Sequence, residues 1–116
     1  MGRDHYGENK VVFYDAVYFF QKLRQMGKQP EIVEMCHKLL GPVLRYDEEH
    51  KTQLTDTLRC LLVNNENVKK TAEQLFIHKN TVLQRKNKLT ELFGYSPFDM
   101  PYRLNFLMIF DIMEKK

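Results

Sequence analysis

The chain has 116 residues, enough for one domain or for one domain with part of another. With 43% apolar and 28% charged residues it can pack a core without a metal or a disulfide, and its net charge is +3. No apolar run reaches the length of a membrane span and no basic-then-apolar signal pattern opens the chain, so no membrane partner and a cytoplasmic location are expected.

In chain order, Val11-Val12-Phe13-Tyr14 is β-prone and reads as a short strand or an extended lead-in. Asp15 suits the cap of a helix from Ala16 to Gln25, closed by Gly27. The aromatic-rich start would normally complete a larger core, so residues 1–46 read as connector helices at the tail of an upstream domain. Pro30 fits the first turn of a second helix, Glu31 to Leu40, which Gly41-Pro42 should end. Asp47, with Glu48 and Glu49 at the positive end, predicts the next helix start. That helix carries Leu54, Leu58, Leu61 and Leu62 on one stripe and ends near Asn64-Asn65. A last helix opens at Pro101 and runs to about Glu114. It is apolar nearly all round, which calls either for the centre of the monomer core or for a homodimer interface. The fold expected is an all-α bundle of about six helices, with residues 47–116 as its main domain and at most a short N-terminal strand.

Between these lies the most informative stretch. Asn67 is a good N-cap for a short helix in which the small Ala72 permits a close crossing, and Leu75 and Ile77 anchor a tight turn. His78 reads as a turn and capping residue. From there a second helix places Val82, Leu89 and Leu92 inward and leaves Lys79, Asn80, Thr81, Gln84, Arg85, Asn87 and Lys88 outward. This is a helix-turn-helix. From Asn67 to Thr90 six cations face the single anion Glu73, whereas a merely solvated helix mixes signs to form pairs along its face. Those residue types reach base edges and phosphates in a major groove. A helical module that docks a protein, and a Fis-like architectural DNA-binding protein, are the alternatives.

Catalysis finds no support. The four histidines show no metal-ligand spacing, Cys36 and His37 point apart on a helix, and no glycine-rich phosphate loop exists, so neither metal nor cofactor is expected. Cys36 and Cys60 read as buried thiols, with a disulfide as the alternative.

The segments Leu54-Thr55-Asp56-Thr57-Leu58-Arg59, Asn65-Glu66-Asn67-Val68 and above all Ile77-His78-Lys79-Asn80-Thr81-Val82 resemble the C-terminal DNA-binding domain of the PucR/CdaR family of bacterial transcriptional regulators. Upstream, the runs Lys10 to Asp15 and Leu40 to Asp47 resemble the lead-in from that family's GGDEF-like domain. The resemblance implies a regulator that binds operator DNA here and senses a small-molecule effector in domains outside this chain. One departure stands out: Lys86 occupies a place where an inward leucine is usual, and Leu83 one where a polar reader is usual.

On this reading Asn80, Thr81, Gln84 and Arg85 are the candidates for DNA base contacts, and Lys69, Lys70, Lys79 and Lys88 for DNA phosphate contacts. Leu83 either touches a thymine methyl or is a plain surface leucine. One such motif gives limited affinity, so a homodimer on double-stranded DNA with two-fold symmetry is expected.

Overall fold

The computed structural model describes residues 18, 21–22, 24–26 and 28–114 of the chain. The chain divides into two compact units, Met1–Met35 and Cys36–Lys116. In the first, the described residues from 18 to 26 are helical, with Lys22 Nζ 5.2 Å from the centre of the Tyr18 ring. The β-prone run at 11–14, the cap at Asp15 and the closing Gly27 lie outside the described residues. Among the described residues there is no strand, and the fold is all-α.

The elements are α1 (Pro30–His50), α2 (Leu54–Val63), α3 (Val68–Leu75), α4 (Lys79–Phe93) and α5 (Tyr102–Glu114). Helix α1 corrects two expectations. It does not end at Gly41-Pro42 but runs through them. An interior proline costs about 3 kcal/mol, and each aliphatic side chain fully buried returns about 1.5–3 kcal/mol. Leu40 and Val43, at 1% and 0% exposure, flank the Gly-Pro pair, so burial there offsets the break.

The second correction is that Asp47 starts no helix. It lies in the last turns of α1 and caps the following helix from across the loop. Its two carboxylate oxygens accept from the Leu54 and Thr55 backbone N–H groups, both at 2.8 Å, and from the Thr52 and Thr55 hydroxyls at 2.5 and 2.6 Å. Gln53, at the N-cap position of α2, makes no side-chain cap bond, and Asp47 does that work instead.

Helix α2 is the hub, packing against α3, α4 and α5. Leu54, Leu58, Leu61 and Leu62 are all buried, as their spacing predicts. From α5, Phe106, Ile109 and Phe110 enter the core, and Phe106 meets Phe93 of α4 with ring centres 5.0 Å apart. Helix α5 therefore gives one stripe to the core, while Leu104 remains 52% exposed. Cys36 and Cys60 are both free and buried, and burial pushes the Cys36 thiol up from its ordinary value.

The α2–α3 turn is closed by backbone bonds from Asn65 to the Leu62 carbonyl and from Glu66 to the Leu61 carbonyl, with Asn65 and Glu66 both left-handed at φ 54° and 64°. Arg103 of α5 secures this turn, donating to Asn65 Oδ1 at 2.6 Å and Glu66 Oε2 at 3.3 Å.

Candidate nucleic-acid interface

The site is built on α3 and α4. Asn67 caps α3, its side chain accepting from the Lys70 N–H at 2.9 Å. Ala72 and Thr71 are buried where α3 meets its neighbours. The turn out of α3 closes with Ile77 N–H on the Ala72 carbonyl at 3.0 Å and with Phe76 left-handed at φ 58°. Phe76 stands 92% exposed there. His78 then caps α4, its Nδ1 accepting from the Asn80 N–H at 3.0 Å, in line with its reading as a capping residue. Gly94, at φ 81°, ends the helix in the left-handed region that favours glycine.

Val82 and Leu89 turn fully inward, each at 0% exposure. This fixes the rotation of α4 about its axis. Asn80, Leu83, Gln84 and Asn87 consequently lie exposed at i, i+3, i+4 and i+7 along one stripe. Thr81 is half-buried at the edge. Lys79 is exposed at the first residue of α4, and Lys69 and Lys70 are exposed in the first turn of α3. None of these three lysines has an ion pair among the described residues.

Two candidates are placed differently from the rest. Arg85 is half-buried, and its Nη1 donates to the Thr57 hydroxyl of α2 at 3.1 Å. That hydroxyl, itself fully buried, donates in turn to the Gln53 carbonyl at 2.9 Å, so it both accepts and donates. Lys88 pairs with Glu91 at 3.2 Å and lies 4.9 Å from the centre of the Tyr46 ring. Its pKa is raised, chiefly by the Glu91 hydrogen bond.

Lys86, the departure from the family pattern, does point inward. Its Nζ pairs with Glu66 Oε1 at 2.8 Å and sits 5.3 Å from the centre of the Phe98 ring. The lysine stem thus lies where a leucine would, and the charge finds a partner at the edge of the core. No spacing rule within α4 pointed to Glu66, Thr57 or Tyr46 as partners, because each belongs to another element.

A helix-turn-helix with an exposed amide-rich face, flanked by cations that have no ion pair among the described residues, is the class of domain that DNA-binding transcriptional regulators carry. The chain belongs to the PucR family: the family model described as the PucR C-terminal helix-turn-helix domain matches residues 54–112. It is 33% identical over 109 residues to the proline-responsive transcriptional activator PutR of Bacillus subtilis (strain 168). That match covers 94% of this chain and 26% of PutR, so the chain spans about a quarter of the relative's length. No solved structure matches significantly. The family is one of regulators, not of enzymes. Among the described residues no helix is long and apolar enough to cross a membrane, and no group of three or more His, Cys, Asp or Glu side chains is arranged to hold a metal.

Proposed function

We propose that this domain recognises operator sequence by placing α4 in the major groove. The observation that carries the reading is the exposed stripe of α4, with amides at Asn80, Gln84 and Asn87, bordered by Lys69, Lys70 and Lys79, which have no acidic partner among the described residues. Asn80 and Gln84 suit adenine, and the Thr81 and Leu83 side chains suit a thymine methyl. Arg85 reaches guanine with the donors that Thr57 does not take. Lys69, Lys70, Lys79 and Lys88 contact phosphates, which give affinity and register without sequence information.

The regulator acts as a homodimer in the cytoplasm, with two α4 helices about 34–36 Å apart on a palindromic site. Residues 1–46 connect residues 47–116 to a regulatory domain in which a small effector is sensed. The printed name of PutR, proline-responsive, supports the sensing of a small effector.

The test is selection of bound duplexes from a random pool, followed by titration in salt. Four phosphate contacts in each of two subunits predict a log–log salt slope on the order of −7. A palindromic consensus with a steep slope is expected. Steep binding without any consensus would instead indicate an architectural DNA-binding protein, and a slope near zero would indicate a module that docks protein.

A further inference from the structure

A cavity of about 380 Å³ opens beside α4, with Tyr46, Lys51 and Gln53 on one wall and Gln84, Arg85 and Lys88 on the other. Its lining holds three cations, two amides and no acid. Two carboxylates border this lining, Asp47, ionised and held by neutral donors, and Glu91, paired with Lys88, so Lys51 and Arg85 are its cations without an ion pair among the described residues. Asp47 accepts from Thr52, Leu54 and Thr55. The positive end of α2 is closed by the same Asp47, so the cavity's attraction for anions comes from side chains and not from the helix terminus.

Lys51 is exposed, has no ion pair among the described residues, and is held in a left-handed turn at φ 56° between α1 and α2. Across the cavity, Gln84 belongs both to the wall and to the exposed stripe of α4. Gln84 thus joins the cavity to the stripe along which a duplex would lie.

We propose that this cleft seats a phosphate of the DNA backbone, with Lys51 and Gln53 of the α1–α2 connection as donors that join Lys88 across it. The assignment rests on the reading of α4 as the groove helix and extends the interface to residues well before the motif. A phosphate is the group that a cleft of cations and amides without acid accepts, since both the charge and the lone pairs of its oxygens are met. The polymer is favoured over a free anion because each phosphate neutralised on DNA releases condensed counterions, a gain that a single ion in water lacks.

The test compares wild type with Lys51→Asn, Gln53→Ala and Lys69→Ala on a labelled selected duplex and on a labelled random one. Asparagine tolerates the left-handed backbone at residue 51, so the fold is retained. Lys51→Asn is expected to weaken both duplexes by the same factor and to make the salt slope shallower by about 0.9 for each subunit bound. Gln53→Ala is expected to weaken both equally with little change in slope. If Lys69→Ala loses affinity while Lys51→Asn keeps wild-type affinity and slope, the cleft is not a contact, and the groove reading stands without it. If wild type binds neither duplex, the groove reading itself fails and takes the cleft with it. Inorganic phosphate, titrated at constant ionic strength and followed by amide resonances, separates the sources. Saturable shifts at Gln53 that Lys51→Asn abolishes, with DNA binding unchanged by that variant, would overturn the assignment in favour of a free-anion site.

Discussion

Lys86 of α4 and Glu66 of the α2–α3 turn form an ion pair of 2.8 Å, and Glu66 holds Arg103 of α5 with its other oxygen at 3.3 Å. One carboxylate thus joins the turn that precedes the motif, the helix that carries its exposed face, and the last helix of the bundle. The three side chains are between 19% and 35% exposed, in the range between surface and buried pairs. Replacement of Glu66 by glutamine leaves the left-handed turn occupied by a residue of the same size but removes the charge from two cations. The expected cost is about 1 kcal/mol, at the upper end for exposed pairs. Lys86→Leu should cost less, since leucine restores apolar contact with Phe98. Chemical denaturation of both variants measures the order, and a larger loss for Lys86→Leu would show that apolar contact with Phe98 does not offset the lost charge.

Asp47 carries a pH dependence. Its partial burial would raise the carboxyl, but the hydrogen bonds from Thr52, Thr55 and Leu54 together outweigh that and leave its pKa below the ordinary carboxylate value. A carboxyl depressed in the folded state contributes stability above its unfolded pKa, about 3.9, and loses it as pH falls through the lower folded value. Asp47→Ala should therefore cost roughly 1 kcal/mol at neutral pH, as loss of a helix cap does. The cost should shrink below about pH 4. A difference between the two proteins that stays constant down to strong acid would show that the carboxylate is not the origin.

Arg85 has two expected phenotypes. Its removal leaves the buried Thr57 hydroxyl without its donor, and the Arg85→Ala variant should lose about 1 kcal/mol of stability. It should also lose about 1–3 kcal/mol on the preferred duplex and relax the preference at one position. Denaturation and competition binding read the two separately. A stability loss with site preference intact would assign Arg85 to the α2–α4 contact alone.

Assembly can be tested without disturbing the core. Phe106 and Phe110 are buried, and charge there would unfold any oligomeric form. Leu104 at 52% exposure and Met100 at 68% are better sites. Leu104→Asp should leave the circular dichroism spectrum unchanged and convert the dimer to monomer in sedimentation. A wild type that already sediments as a monomer at high micromolar concentration would remove the dimer from the proposal for this chain.

How far the residues alone determine this protein differs from element to element. The backbone and inward face of the helix-turn-helix are legible, because their determinants are local. The Asn67 cap, the small Ala72, the His78 cap and the inward pair Val82 and Leu89 each act within a turn or two of chain. The leucine stripe of α2 is legible for the same reason, since helical spacing converts directly into a face. The course of α1 is not. Local rules break it at Gly41-Pro42, and the burial of Leu40 and Val43 in the folded chain carries it through. Nor does sequence spacing show that Asp47 caps a helix from across a loop, that Arg85 is drawn to Thr57 from 28 positions away, or that Lys86 turns in to meet Glu66. Periodicity within a helix assigns each side chain a direction. Whether a charge pointing that way meets water, DNA or a partner depends on which other helix the tertiary packing brings beside it, and that choice belongs to the core as a whole.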